Sequence, residues 1–165
     1  GVNALGLTGA DMNVIRSVKR PVKEVDYGFV GDVEKVDASL LSDLIYKGVV
    51  PVMAPLTHDG QGNMLNTNAD TIAEETAKAL SGLFDVTLVY CFEKKGVLRD
   101  ENDDDSVIPQ ITRAEFEQYV ADGVIQGGMI PKLENSFEAI NAGVSEVIIT
   151  LASAINGNGG TRIKK

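Results

Sequence analysis

Apolar residues along the chain follow two patterns that alternate with each other. Continuous apolar runs, typical of strands covered on both faces, occupy residues 2–7, 49–56, 86–92 and 144–151. Apolar residues at helical spacing predict helices over residues 38–47, 69–83, 112–121 and 131–143. Because strands alternate with helices, the pattern predicts an α/β fold with a mostly parallel central sheet flanked by helices.

Turn-forming and capping residues separate these elements. Asp37 stands where a helix N-cap belongs, and Thr112 and Glu115 match a capping box. Residues 23–36 are rich in β-branched and aromatic side chains around two glycines, which predicts a hairpin or a bulged pair of strands. The turn formers at 58–63 predict a hairpin tip. No internal repeat or linker interrupts the chain, so we expect a single domain.

Charge and composition exclude several classes of function. The formal net charge of −9 leaves the chain without the basic footprint that a nucleic-acid-binding protein needs. One Cys and one His make neither the usual zinc site nor an internal disulfide, and no apolar run reaches the roughly 18 residues of a membrane span. We therefore expect a cytoplasmic protein with no metal ligands, nucleic-acid partner or membrane partner. Because the chain opens on Gly1 and an apolar stretch, we also expect a piece truncated at its N-terminus.

Lys132 is in an unusual position for a cation. It follows Gly127, Gly128 and Pro131, and the proline predicts the first turn of a helix, where the helix dipole disfavours a positive charge. An anion at the helix end would remove the conflict, because free N–H groups and an ammonium together form a phosphate site. The alternative is a solvated lysine whose side chain extends away from the helix end.

Asn66, Asn68 and Asp70 form a second polar group between a hairpin and a helix start. Asn68 is a natural N-cap, and Asp70 falls in the first turn of the helix, where an acid is favoured. Capping alone accounts for these residues. The functional alternative is that the two amides hold a substrate carboxylate while Asp70 orients ammonium groups without acting as a base.

Three other features are weaker candidates. The acidic run 100–105 lacks the glycine and the final glutamate of a calcium loop, which favours a solvated loop. His58 is interpreted as an exposed turn residue. Cys91 lies in an apolar run and is expected to be a small core residue rather than a nucleophile.

Five segments, in this order, resemble motifs of the amino acid kinase family. They are Leu5-Gly6-Leu7-Thr8-Gly9-Ala10-Asp11, Tyr27-Gly28-Phe29-Val30-Gly31-Asp32-Val33, Leu65-Asn66-Thr67-Asn68-Ala69-Asp70, Gly127-Gly128-Met129-Ile130-Pro131-Lys132 and Gly160-Thr161-Arg162-Ile163. The hairpin-like second segment and the asparagine pair of the third resemble the branch of the family that acts on N-acylated glutamate. The resemblance implies a three-layer α/β sandwich, of which residues 1–165 are the C-terminal, ATP-binding part without the N-terminal substrate-binding part.

The implied reaction is transfer of the γ-phosphoryl group of ATP, with Mg²⁺ bridging the phosphates, to the γ-carboxylate of an acetyl or succinyl glutamate in arginine biosynthesis. By resemblance, Lys132 stabilises the migrating phosphoryl group and Asp70 organises catalytic lysines. Asn66 and Asn68 would bind the α-carboxylate of the substrate. The residues implied to bind the nucleotide are Glu93, Lys94, Lys95, Gly96, Val97, Leu98, Val124, Ile125, Gln126, Gly128 and Met129.

The chain also departs from the family pattern. It has no counterpart of the N-terminal Lys-x-Gly-Gly strand or the His-Gly-Gly-Gly turn, so we expect this piece to be inactive and the intact protein to be active. Because members of the family are usually at least dimers, the resemblance implies a homodimer or larger assembly for the intact protein. Where the family reads Thr/Ser-Asp-Val-x-Gly-Val/Ile, residues 91–98 read Cys-Phe-Glu-Lys-Lys-Gly-Val-Leu, about two residues longer. Glu74 stands where the family commonly has a small residue. Other acceptors in the same family (carbamate, glutamate, aspartate or a nucleotide) and a non-catalytic nucleotide-binding or assembly module remain open alternatives.

Overall fold

A computed structural model describes residues 1–155 and 159–164 of the chain. They divide into two compact units, Gly1–Leu83 and Phe84–Lys165, which are described separately. The fold is α/β, as the apolar pattern predicts, and its mixed sheets contain parallel pairs in both units. Within the described residues, no helix is both long enough and apolar enough to cross a bilayer.

Two sheets and two helices form the first unit. Its elements are β1 (Ala4–Leu7), β2 (Ile15–Lys19), β3 (Gly31–Val36), α1 (Ala38–Tyr46), β4 (Val50–Met53), β5 (Leu56–His58), β6 (Met64–Asn66) and α2 (Ala69–Leu80). Strands β1 and β4 pair in parallel, and the other sheet has the order β3-β2-β5-β6. Its core is built from Val14, Ile15, Leu41 and Ile72, all nearly inaccessible to solvent.

The strand pairing of this unit differs from the prediction in two places. The hairpin or bulged pair expected within residues 23–36 is wrong, because only β3 is a strand there. It pairs with β2, which the apolar pattern missed because one of the two buried residues of β2 is Ser17 and the apolar Val18 is exposed. The expected strand over residues 49–56 is divided at Ala54 and Pro55 into β4 and β5, which belong to different sheets. The hairpin tip at 58–63 is confirmed by the antiparallel pair β5 and β6.

Local capping chemistry fixes both helix starts in the first unit. The Asp37 side chain accepts a hydrogen bond of 3.0 Å from the backbone N–H of Leu40, which begins α1 as predicted. Asn68 caps α2 in the same way. Helix α2 ends at Leu80 rather than at residue 83, and Leu83, expected in the core, is exposed.

The second unit is one four-stranded sheet with two helices. Its elements are β7 (Thr87–Phe92), β8 (Gln110–Ile111), α3 (Arg113–Ala121), α4 (Met129–Asn141), β9 (Glu146–Leu151) and β10 (Thr161–Ile163). The strand order is β7-β9-β10-β8, with β9 and β10 antiparallel and the other pairs parallel. The short strands β8 and β10 were not predicted. The glycines and asparagines of residues 156–160 predict a loose loop after β9, and residues 156–158 of it lie outside the described residues.

Strand β7 is buried on one face only. Leu88 and Tyr90 are buried, whereas Thr87 and Cys91 on the opposite face are exposed, so the expectations of a fully covered strand and of a core Cys91 are both wrong. The capping box is confirmed at α3, because Thr112 accepts a hydrogen bond from the Glu115 N–H and the Glu115 carboxylate accepts one from the Thr112 N–H.

Candidate functional site

Two adjoining clefts in the second unit contain most of the residues implied to bind the nucleotide. The first, the lysine cleft, has a volume of about 540 Å³ and is lined by Cys91, Phe92, Glu93, Lys94, Gly96, Gly128, Met129 and Lys132. The second, the loop cleft, has a volume of about 340 Å³ and is lined by Lys94, Gly96, Val97, Leu98, Glu101, Asn102, Val124, Ile125, Gln126 and Met129. Lys94, Gly96 and Met129 line both, so the two clefts are neighbours.

This arrangement brings together ten of the eleven residues implied to bind the nucleotide. The exception is Lys95, which lies outside both linings and whose ammonium is 2.6 Å from the Asp105 carboxylate. Four lining residues were missed by the sequence reasoning. They are Cys91, Phe92, Glu101 and Asn102. The acidic run that contains Glu101 and Asn102 was interpreted only as a solvated loop, although its return toward residue 98 brings it to the cleft.

A close backbone contact gives the loop that follows β7 its shape. A Cβ atom built on Gly96 would lie 2.8 Å from the Thr161 hydroxyl oxygen, so only glycine fits there. The Val97 N–H donates a 2.8 Å hydrogen bond to that hydroxyl, which donates in turn to the Ile108 carbonyl at 2.6 Å. Strand β10 therefore holds the lining segment in place.

Lys94 and Lys95 form ion pairs with the acidic run 100–105 beside the loop cleft. The Lys94 ammonium lies 3.1 Å from the Asp104 carboxylate and 3.3 Å from the Glu101 carbonyl. The hydrogen bond and charge of Asp105 raise the pKa of Lys95, and Lys95 lowers the pKa of Asp105 in return. Among the described residues, no cluster of three or more His, Cys, Asp or Glu side chains could hold a metal ion.

Lys132 is the fourth residue of α4, which begins two residues before Pro131. Gly127 has a φ of +55°, and a Cβ built on Gly127 or Gly128 would meet no atom within 4 Å, so space is open beside this helix end. The Met129 and Ile130 N–H groups donate long hydrogen bonds of 3.3 and 3.2 Å to nearby carbonyls. Fewer backbone donors are thus free than local reasoning predicts, and the positive charge here comes mainly from Lys132.

The Lys132 ammonium lies over an aromatic ring. Its Nζ is 3.8 Å from the centroid of Phe92, the last residue of β7. The lysine is half-buried. Its side chain is therefore not fully solvated, as the alternative interpretation expects, and its charge is not fully enclosed either.

Asn66, Asn68 and Asp70 lie in the first unit, around the start of α2. Asn66 is an exposed residue at the end of β6, and its N–H donates a 2.7 Å hydrogen bond to the Phe29 carbonyl. The Asn68 side chain accepts hydrogen bonds from the N–H groups of Asp70 and Thr71, so its capping role is confirmed. Asp70 is half-buried in the first turn.

Glu74, one turn further along α2, is a buried acid. Its carboxylate lies 2.5 Å from the Lys78 ammonium, which is also 3.1 Å from Glu75. Burial alone would lower the pKa of Lys78, but hydrogen bonds to the two glutamates outweigh burial and raise it. The departure from a small residue at position 74 is thus accommodated by an ion pair within the helix.

Comparison with known proteins gives concordant matches. A sequence model of the amino acid kinase family matches residues 1–151. The acetylglutamate kinase of Bacteroides thetaiotaomicron is 94% identical over 165 residues, which are all of this chain and 64% of that protein. That of Bacteroides fragilis is 88% identical over 165 residues, covering 63% of its length. Among solved structures, smu.665 from Streptococcus mutans UA159 has a TM-score of 0.79 and 29% identity, covering 99% of this chain and 61% of that chain. The chain thus spans less than two thirds of the length of these proteins.

Proposed function

Because the chain belongs to the amino acid kinase family, we propose that it forms the nucleotide-binding part of a kinase that phosphorylates N-acetylglutamate. The observation that carries this proposal is the convergence of ten implied nucleotide-binding residues and Lys132 on two neighbouring clefts. The choice of acceptor rests on relatives named acetylglutamate kinase at 94% and 88% identity. The reaction would serve arginine biosynthesis in the cytoplasm, where ATP is available.

The proposed reaction needs no general base. An oxygen of the acceptor γ-carboxylate, already ionised at neutral pH, forms a bond to the γ-phosphorus of ATP. The bond from that phosphorus to the β–γ bridging oxygen breaks, and the electron pair leaves with ADP, so the product is an acyl phosphate. Phosphoryl transfer depends mainly on positioning and on positive charge at the equatorial oxygens. Among the described residues that line the lysine cleft, the cations are Lys94 and Lys132, and Lys94 lies 3.1 Å from the Asp104 carboxylate. We therefore assign that charge to Lys132.

Each cleft has a separate role in this proposal. The loop cleft, with Val97, Leu98 and Ile125 on its apolar wall, would take the adenine and ribose. The lysine cleft would take the phosphates, because the open space at Gly128 and the Lys132 ammonium lie there. Mg²⁺ would be carried by the nucleotide phosphates, where it neutralises charge, since the described residues contain no acidic or histidine cluster to hold it.

Residues of the first unit are assigned to the acceptor. We propose that the Asn66 and Asn68 amides bind its α-carboxylate and that Asp70 orients ammonium groups without acting as a base. The cap that Asn68 makes uses only its side-chain oxygen, which leaves the amide nitrogen for a ligand. The relatives are longer than this chain, so we expect turnover only from the whole protein, as a homodimer or larger assembly.

The proposal is tested by binding and by turnover. Titration calorimetry of the chain with Mg²⁺ and a non-hydrolysable ATP analogue should give saturable binding. Lys132→Ala should weaken this binding, whereas Lys47→Ala, at an exposed lysine in the first unit, should not.

In the whole protein, Lys132→Ala should lower kcat for N-acetylglutamate by about 100- to 1000-fold, the cost of removing one preorganised transition-state donor. Turnover that survives Lys132→Ala, or a preference for carbamate, glutamate or aspartate, would overturn the assignment.

A further inference from the structure

Phe92 is an aromatic partner of Lys132 and the last residue of β7. The Lys132 Nζ is 3.8 Å from the ring centroid, well inside the roughly 6 Å range in which a cation is attracted to an aromatic face. Both residues line the lysine cleft, so the contact is made at its wall rather than in the core.

Strand β7 determines the position of the Phe92 ring. Side chains alternate along a strand, so Leu88, Tyr90 and Phe92 lie on one face, the first two buried. The Tyr90 and Phe92 rings stack with centroids 6.2 Å apart and planes 19° from parallel. A buried tyrosine thus limits the tilt of the ring on which the ammonium lies.

An aromatic ring suits a lysine that must meet phosphate better than a carboxylate does. Near the start of α4 the helix dipole disfavours a cation, and the negative face of the ring offsets that cost locally. A carboxylate would offset it too, but its full negative charge would repel the incoming phosphate oxygens. The ring carries no net charge, so it can hold the ammonium in place without adding a negative charge beside the phosphates.

We propose that Phe92 is a positioning residue that holds the Lys132 ammonium at the wall of the lysine cleft for phosphoryl transfer. This inference rests on the proposed function, since it presumes that Lys132 acts on the transferred group. It goes beyond that proposal because it makes the reaction rate depend on an uncharged side chain that acts through Lys132 rather than on the transferred group itself.

The decisive variants keep or remove the ring. Phe92→Leu removes the aromatic face at similar volume, Phe92→Tyr keeps it, and Phe92→Met is a second non-aromatic variant in case the leucine variant folds poorly. Tyr119→Leu is the matched control, because the Arg99 guanidinium lies 5.4 Å from the centroid of that ring and neither residue lines the two clefts. Steady-state kinetics of the whole protein should show a kcat about 3- to 10-fold lower in Phe92→Leu and Phe92→Met, with KM for ATP changed less than 3-fold. Phe92→Tyr and Tyr119→Leu should stay within 2-fold of wild type.

A second readout does not depend on activity. In the chain with ¹³C-dimethylated lysines, the Lys132 methyl signal, identified by its loss in Lys132→Arg, should be shifted upfield by the ring and return toward the other lysines in Phe92→Leu. If Phe92→Leu leaves kcat and this signal unchanged while Lys132→Ala abolishes turnover, the positioning role is wrong and the proposed function stands. If Lys132→Ala retains turnover, both are wrong.

Discussion

Gly96 and Thr161 approach so closely that no side chain fits at position 96. A Cβ atom built on Gly96 would lie 2.8 Å from the Thr161 hydroxyl oxygen and 3.1 Å from the Thr161 backbone nitrogen. Thr161 is itself completely buried in β10 and cannot move aside without breaking its strand pairing. Two residues 65 positions apart in the sequence therefore determine the wall shared by the two clefts.

Gly96→Ala tests this contact. The added methyl group meets backbone and a buried hydroxyl rather than a flexible side chain, so we expect a loss of about 1–3 kcal/mol in the free energy of unfolding. Affinity for the ATP analogue should fall at the same time, because Gly96 lines both clefts. Urea unfolding and calorimetric titration measure the two effects.

The matched control is Gly82→Ala. A Cβ on Gly82 meets nothing within 4 Å and its φ is outside the left-handed region, so stability should stay within about 1 kcal/mol of wild type or rise slightly. Equal losses of stability in the two variants would contradict the close contact at position 96.

Thr161→Val removes the hydroxyl while keeping the shape of the side chain. The Val97 N–H loses its acceptor and the Ile108 carbonyl loses its donor, both in buried surroundings, so we expect a cost of about 1–3 kcal/mol. Hydrogen exchange of the Val97 amide should accelerate more than that of amides in β7. Thr161→Ser retains the hydroxyl and should preserve the protection of that amide, and unchanged exchange in Thr161→Val would rule the hydrogen bond out.

Asn68 offers a way to separate capping from substrate binding. Asn68→Ser keeps a side-chain oxygen at the N-cap of α2, so the free energy of unfolding should change by only a few tenths of a kcal/mol, whereas Asn68→Ala should cost about 1 kcal/mol. Neither variant keeps the amide nitrogen. In the whole protein both should raise KM for N-acetylglutamate. A normal KM in Asn68→Ser would leave Asn68 with its capping role alone.

Local chemistry explains which parts of the structure could be predicted. Helices α1 and α3 begin where Asp37 and Thr112 stand, because an N-cap acts on N–H groups two or three residues away. Strands β8 and β10 were missed because two or three residues carry no pattern of their own and depend on remote partners. The contact between Phe92 and Lys132 was missed because it too depends on residues that are remote in the sequence.

The clefts could be predicted only through the family resemblance. The fold of the second unit brings residues 93–98 and 124–126 to the same cleft. The local sequence pattern of either segment gives no indication of this. Glu101 and Asn102 were missed because the acidic run 100–105 has the composition of a solvated loop and gives no local sign of the cleft that it borders. The roles of these residues in binding and catalysis remain predictions.

The ion pair between Glu146 and Arg162 predicts a pH dependence of stability. Their atoms are 2.7 Å apart across β9 and β10, and the hydrogen bond from Arg162 is the main cause that lowers the pKa of Glu146. A carboxylate whose pKa is lower in the folded state stabilises the fold above its unfolded pKa of about 4.3, and that contribution is lost as the pH falls through the folded value.

Glu146→Gln should therefore destabilise the chain by up to about 1 kcal/mol near pH 7, because Arg162 is partly exposed and solvent screens the pair. The difference from wild type should shrink as the pH falls from 5 toward 3, where the wild-type carboxylate becomes protonated and resembles the amide. Urea unfolding at several pH values measures this difference.

The control is Glu117→Gln, at an exposed pair with Arg113 within α3, which should change the free energy of unfolding by no more than about 0.5 kcal/mol. A difference for Glu146→Gln that stays constant between pH 7 and pH 3 would show that packing, not charge, is responsible.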